Sequence, residues 1–152
     1  MTAVAVVVMA LQATLMLLDE VRFHRRRELP RWERIGHPID TLSVFACCLM
    51  TLVVNPAPPA LITYAALGAL SCLLVTKDEL VHARHCEPFE HWLHALLFSL
   101  HPLLLIAIAL LWLDGAHSIL VMQTLAVALF GAYQAIYWNW LSPAPARSRN
   151  LE

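Results

Sequence analysis

The segregation of charge along this sequence is its strongest constraint on the fold. All ten Lys and Arg residues fall into three short stretches, 22–34, 77–84 and 147–149. Long apolar segments separate them, and apolar residues make up 60% of the chain, with a mean hydropathy of +0.66. This composition lies outside the range of ordinary soluble domains. The sequence therefore predicts a helical membrane protein with its polar residues collected near helix ends.

Five apolar segments approach the length of a transmembrane helix, which needs about 20 residues, within a range of about 17–25. They are Thr2–Leu18, Ile39–Val54, Ala60–Thr76, Trp92–Leu113 and Ser118–Leu141. The first three are short, so we expect their helices to continue into the polar segments by one or two turns. The predicted fold class is all-α: five transmembrane helices in one bundle, built as two helical hairpins plus a fifth helix.

The two ends of the chain need separate interpretation. Met1–Leu18 lacks a basic start and a small-residue cleavage site, so we interpret it as a retained helix rather than a signal peptide. Leu151 and Glu152 are interpreted as a remnant of an expression tag. Residues 1–150 are then predicted to form a single domain.

The loop charges predict an orientation. By the positive-inside rule, short cytoplasmic loops carry the excess of Lys and Arg. The loops after the first and third segments and the C-terminus hold all ten, and the other two loops hold none. This predicts an outside N-terminus and a cytoplasmic C-terminus in an inner membrane of bacterial type. Trp92, Trp138 and Trp140 near segment ends fit an interfacial aromatic belt.

The composition indicates which kinds of partner the chain is expected to bind. The chain has neither a polybasic tail nor aromatic residues interleaved with basic ones, so nucleic-acid binding is not expected, and membrane lipid is the expected partner.

The cysteines show no CxxC spacing. Cys47, Cys48 and Cys72 lie in apolar segments and are expected to serve as small buried residues. Cys86, among polar residues, is a candidate ligand or redox-sensitive thiol.

Acids and histidines flank two of the basic stretches at spacings typical of metal ligands. Residues three or four apart share a helix face, so each such pair presents an oxygen and a nitrogen in one direction. The predicted metal ligands are Glu20, His24, His37, Asp40, Glu79, His82, Glu90 and His94. A second tier of candidates contains Asp78, Glu33, His91 and His101. With both segments cytoplasmic, four helix ends are expected to aim these side chains at a common axis.

The two polar segments also repeat each other. In each, an Asp-Glu pair ends an apolar segment, a histidine follows within about a turn, and a Glu with a His four residues later opens the next segment. The Asp-Glu pairs are Asp19-Glu20 and Asp78-Glu79. This pattern indicates two copies of one hairpin, each contributing about half of the ligands.

A metal site competes with a plainer interpretation of the same residues. Ionisable groups at membrane depth cost about 2.5–3.5 kcal/mol each, and Asp40, His94 and His101 lie inside apolar segments. A metal ion offsets that cost by coordinating carboxylates and neutral imidazoles. Alternatively, the Asp-Glu pairs anchor the helices by pairing with the arginines of the first loop, and His37, before Pro38, caps a helix.

The ligand pattern resembles that of membrane-embedded di-iron proteins, which include fatty-acyl desaturases and alkane or sterol hydroxylases. The shared feature is a cytoplasmic cluster of ligands at helix ends between hydrophobic hairpins. Those enzymes carry several HxxxH and HxxHH boxes, whereas this chain has HxxH spacings such as His91-Trp92-Leu93-His94, with more carboxylate. Glu79-Leu80-Val81-His82 has the Glu-x-x-His spacing of ferritin-like di-iron sites. The resemblance implies a di-metal centre and no particular substrate.

The sequence thus predicts two bound metal ions, iron first, with zinc or manganese as alternatives, because imidazole and carboxylate suit these metals. As an enzyme it would perform oxygen- or redox-linked chemistry on a lipid-soluble substrate. Three alternatives stay open. One is a membrane zinc hydrolase with Glu79 or Glu90 as base, another is a metal transporter or sensor, and the third is a haem protein using His94 or His101.

Overall fold

The computed structural model describes residues 1–26, 29, 31–78 and 87–142, apart from the side chain of Asp78. These residues form five long helices and no strand. The helices are α1 Thr2–Asp19, α2 Arg31–Val53, α3 Pro58–Val75, α4 Pro88–Leu113 and α5 His117–Ile136. Helix α1 continues as a π-helical turn, Glu20–His24, and α5 as another, Tyr137–Leu141. A 3₁₀ turn, Thr76–Asp78, follows α3.

Proline and glycine set several of the helix ends. Pro58 and Pro59 open α3, and Pro88 opens α4 after Glu87 at the N-cap position. Proline suits the first turn because its missing N–H would have no partner there and its φ is already helical. Between α4 and α5, Gly115 has a φ of 70°, the left-handed conformation that a side chain disfavours.

The predicted extension into the polar regions is confirmed for the first two segments, whereas α3 ends at Val75 and continues only as a 3₁₀ turn. Helix α2 begins at Arg31, about two turns before Ile39. Pro38 lies inside α2 rather than at its start, so the interpretation of His37 as a helix cap is wrong. Pro38 has no N–H to offer the carbonyl of Arg34, and that carbonyl accepts a hydrogen bond from the Asn139 side chain at 3.3 Å instead.

The closest helix packing joins helices that are not consecutive. Helix α1 packs along α4, α2 packs along α5, and α3 lies beside α2. The two helices of each predicted hairpin, α1 with α2 and α3 with α4, follow each other in the chain. They pack against each other less extensively than α1 packs against α4 or α2 against α5. Cys47 and Cys48 are buried in the apolar core, as predicted, whereas Cys72 is only half-buried.

The outer surface of the bundle is apolar. Large side chains such as Ile62, Met122 and Leu129 are more than 70% exposed. All five helices are long and apolar enough to cross a membrane. Exposed apolar residues on every helix suit contact with lipid, in which a helix satisfies its own backbone hydrogen bonds.

Side-chain contacts distinguish the two ends of the bundle. At one end, which we call the polar end, the ends of α1, α3 and α5 meet the starts of α2 and α4; the contacts include His94 with Asp19 and Lys77 with Asp40. At the other end, Thr2 donates to Asp114 and Trp112 donates to the carbonyl of Val54. The described Lys and Arg residues all belong to the polar end.

The turn at Gly115 gives a first prediction. Gly115→Ala forces a side chain into the left-handed region, at a cost of about 1–2 kcal/mol, and should lower the melting temperature in detergent by about 2–8 °C. The matched control is Gly68→Ala inside α3, where the new methyl group would meet Leu105 at an ordinary 3.6 Å. An equal loss in both variants would contradict this account of the turn.

Candidate metal centre

Four buried side chains converge at the polar end of the bundle. Asp19 and His24 come from the end of α1, and Glu90 and His94 come from the start of α4. One ligand atom from each lies within 4.8 Å of the others. Their exposed fractions are 6%, 3%, 3% and 4%, so solvent contributes little to their stabilisation. We call these four residues the α1–α4 group.

A second group lies next to the first and shares His24 with it. It adds Glu33 and His37 from α2, and the three ligand atoms again lie within 4.8 Å of one another. The rings of His24 and His37 stack, with centroids 4.8 Å apart. Glu33 is fully buried. Three helices thus contribute imidazole and carboxylate to one region.

The π-helical turn at the end of α1 explains how Asp19 and His24 reach the same group. They are five residues apart, a spacing that puts side chains on different faces of an α-helix. A π-helical turn bonds residues five apart, and the Arg25 N–H bonds to the Glu20 carbonyl in this way. On α2 and α4 the ordinary spacing of four residues joins Glu33 to His37 and Glu90 to His94.

The polar contacts inside the α1–α4 group centre on Asp19. Its two carboxylate oxygens lie 3.1 and 3.2 Å from Nε2 of His94. Nε2 of His24 lies 3.3 Å from Oδ2 of the same carboxylate. Asp19 therefore faces a ring nitrogen from each of two helices.

Glu20 holds His24 from the other side. Its Oε2 lies 3.3 Å from Nδ1 of His24. The Tyr133 hydroxyl donates to Oε1 of Glu20 in a short hydrogen bond, and the Trp138 indole N–H donates to Oε2 at 3.4 Å. If Nδ1 of His24 donates its proton to Glu20, then Nε2 carries the lone pair and faces Asp19. A carboxylate behind a metal-binding histidine orients the ring in this manner.

Arg25 covers this contact from outside. Its guanidinium lies over the Tyr133 and Tyr137 rings, 5.7 and 5.2 Å from their centroids, and donates to the Tyr133 hydroxyl at 3.3 Å. The hydrogen bond to Tyr133 raises the pKa of Arg25 above its ordinary value. The cation therefore stays charged beside the Tyr133–Glu20 contact.

Two predicted residues have partners away from both groups. The Asp40 carboxylate accepts a hydrogen bond from Nζ of Lys77 at 2.6 Å. Nε2 of His101 lies 2.9 Å from the Ser71 hydroxyl, which lies 2.6 Å from that of Ser43. These contacts give both ionisable side chains a polar neighbour inside the bundle.

The predicted candidates divide into four sets. Of the first-tier candidates, His24, Glu90 and His94 belong to the α1–α4 group, and His37 belongs to the second group. Glu33, a second-tier candidate, also belongs to the second group. Glu20 supports His24 from behind. Asp40, His91 and His101 belong to neither group. Glu79, His82 and the side chain of Asp78 lie outside the described residues.

Three residues of the site were not among the predicted metal ligands. The sequence places Asp19 in an Asp-Glu pair at a helix end, with anchoring to arginines as the alternative, and its spacing of five residues from His24 gives no α-helical pair. Tyr133 is expected only as a polar residue of the fifth segment that could have a partner across the bundle, and that partner is Glu20. Trp138 is only 3% exposed, so its assignment to an interfacial belt is wrong; Trp92 and Trp140 are 55% and 75% exposed and fit the belt.

The donor set fits a metal ion in type. Ligand atoms about 2.0–2.2 Å from an ion in a tetrahedral shell lie about 3.3–3.6 Å apart, so these atoms, which lie within 4.8 Å of one another, would draw together by up to about 1.5 Å around an ion. Imidazole and carboxylate suit iron, manganese and zinc. These buried residues could therefore hold a metal ion.

An apolar cavity of about 310 Å³ adjoins the α1–α4 group and runs between the helices. Asp19, His24 and His94 line its polar end, and Met9 and Leu104 line its far part. A molecule in this cavity would touch the candidate ligands with one end while the rest stayed in an apolar environment.

Comparison with known protein families, with curated proteins and with solved structures finds no match to this chain.

Proposed function

We propose that this protein is an inner-membrane metalloprotein that holds two metal ions, iron in the first instance, at the cytoplasmic end of its bundle. The observation that carries the proposal is the convergence of Asp19, His24, Glu90 and His94, all buried, on one small volume. Redox- or oxygen-linked chemistry on a lipid-soluble substrate is the proposed activity.

A bound cation would stabilise the charges gathered at this site. Asp19, Glu33 and Glu90 are carboxylates with exposed fractions of 6%, 0% and 3%, gathered around shared histidines. Crowded buried carboxylates repel one another when ionised. A divalent cation balances two of these charges and binds the same oxygen and nitrogen atoms, while neutral imidazoles complete its shell.

The second group supports a second ion. A neutral histidine ring binds one ion through one nitrogen, so His24 can belong to only one of the two shells. We assign His24 to the ion held by the α1–α4 group, because Asp19 faces its Nε2 while Glu20 faces its Nδ1. Glu33 and His37 are then the protein ligands of the second ion, with Glu79 and His82 as further predicted ligands.

The protein residues divide the work of such a centre. A bound iron pair would supply electron transfer, which none of these side chains performs by itself. Glu20, fixed by Tyr133 and Trp138, holds the His24 ring in place. The apolar cavity excludes water and places a substrate end beside the ligands.

Metal content tests the proposal directly. His94→Ala removes a ligand of the α1–α4 group and should lower the metal bound per protein sharply. Glu20→Ala removes only the support of His24 and should weaken metal affinity by about 10- to 100-fold. Elemental analysis and an absorption spectrum of detergent-purified protein measure both effects.

His117→Ala, at the start of α5 at the opposite end, is the matched control and should leave metal content unchanged. Equal metal content in all three variants would overturn the site. Two irons per protein without a Soret band would agree with the proposal. One zinc per protein would favour a hydrolase, and a Soret band would favour a haem protein. Weakly held metal would favour a transporter or sensor.

Asp40→Asn separates metal binding from helix anchoring. Because Asp40 pairs with Lys77, this change should leave metal content unaltered and lower the free energy of unfolding by about 1.5–3 kcal/mol. Lys77→Met should lower it similarly, and the double variant should cost less than the sum of the two losses. If Asp40→Asn lowered the metal content, Asp40 would be a metal ligand, as the sequence predicts.

The proposed orientation, with the polar end of the bundle in the cytoplasm, rests on the Lys and Arg residues at that end. Reporter fusions after Asn55 and after Gly115 should report a periplasmic location, and fusions after Arg27 and after Arg84 a cytoplasmic one, because Lys and Arg are retained on the cytoplasmic side. A cytoplasmic signal after Asn55 would contradict the orientation.

A further inference from the structure

The cavity beside the α1–α4 group is open at its side rather than only at its polar end. Its wall includes Ala13 and Leu17 of α1 and Ala126 of α5, and all three are exposed although they line the cavity. Leu17 has an exposed fraction of 55%. The exposed residues of the wall thus come from α1 and α5, while the lining residues of α2 and α4 are buried or half-buried. The opening therefore lies between α1 and α5.

This opening is at the level of the membrane-spanning part of the bundle. Ala13, which follows Gln12 and precedes Thr14, and Ala126 both lie in the interior of helices that are long and apolar enough to span a membrane. A molecule dissolved in the hydrocarbon layer could enter here without passing through water. A water-soluble molecule would have to cross an apolar rim.

One buried polar group inside the cavity lacks a partner. Gln12 lines the cavity and has an exposed fraction of 6%. Its Oε1 has no hydrogen-bond partner among the described residues. A buried polar atom left unpaired costs about 1–3 kcal/mol, so a ligand group that hydrogen-bonds to Gln12 would recover much of that cost. Along α1, Gln12 precedes Asp19 by about 10 Å.

We propose that the cavity binds an elongated lipid-soluble alcohol that enters laterally between α1 and α5. Its hydroxyl group donates a hydrogen bond to Oε1 of Gln12, and its hydrocarbon chain runs toward Asp19 and His94. A water molecule occupies about 30 Å³ in the liquid, so a cavity of about 310 Å³ holds on the order of ten groups of that size. A chain of about ten carbons fits this space and spans the distance from Gln12 to the candidate ligands.

The proposal rests on the proposed function only in calling this molecule a substrate, since binding itself can be measured without metal. The probe is decan-1-ol carrying a diazirine at its terminal carbon, added to metal-stripped protein in lipid nanodiscs and photolysed. Mass spectrometry should find the label on residues lining the polar part of the cavity. Unlabelled decan-1-ol should compete better than undecane, which matches it in heavy atoms, by about two- to tenfold, the value of one hydrogen bond.

Two variants test the two parts of the proposal. Gln12→Leu keeps the size of the side chain and should abolish the preference for the alcohol over the alkane while labelling of the cavity persists. Ala13→Phe narrows the opening and should lower cavity labelling severalfold. Its matched control, Ala66→Phe, changes an exposed alanine of α3 that does not line the cavity and should have no effect.

The outcomes separate this site from the metal centre. Label spread evenly over lipid-facing residues, or an alcohol preference that survives Gln12→Leu, would overturn the binding site whatever the metal content. Cavity labelling with the expected competition in a protein that binds no metal would uphold the lipid site and overturn the metalloprotein. Circular dichroism of each variant confirms that lost labelling is not lost folding.

Discussion

Burial of carboxylates and imidazoles inside an apolar bundle is the constraint on which the rest of this structure depends. Asp19, Glu33, Glu90 and His94 are all nearly inaccessible to solvent, at the end of helices whose outer surfaces are apolar. Such groups have to satisfy one another or bind a cation, because neither lipid nor bulk water is available to them. The close approach of α1, α2 and α4 at this end meets that requirement.

Irregular backbone serves the same purpose at two places. The π-helical turn after Asp19 rotates the chain so that Asp19 and His24 face one volume, and a second one after Ile136 accompanies the contacts of Tyr133 and Trp138 with Glu20. Tyr133 and Trp138 are also five residues apart. Such turns sacrifice regular helical hydrogen bonding, which is why they often mark functional positions in otherwise regular helices.

The polar end and the apolar cavity are complementary parts of one arrangement. The candidate ligands close one end of a space whose remaining wall is mostly hydrocarbon, and Gln12 adds an isolated hydrogen-bonding position about 10 Å away. The wall residues that are exposed come from α1 and α5, and each of these helices packs mainly against another partner, α4 and α2.

The sequence by itself determined the five apolar helices, the extension of α2 into the polar segment, the burial of Cys47 and the collection of the described Lys and Arg residues at one end of the bundle, because hydropathy and charge are local properties. It also identified Glu90 with His94 as a pair, since a spacing of four residues is fixed within a single helix. Only the tertiary structure decided that Asp19 lies beside Glu90 and His94, that Lys77 pairs with Asp40, and that the Trp138 side chain is buried. These outcomes depend on a change of helical register and on the lateral order of the helices, and apolar segments of similar hydropathy do not encode that order in any local pattern.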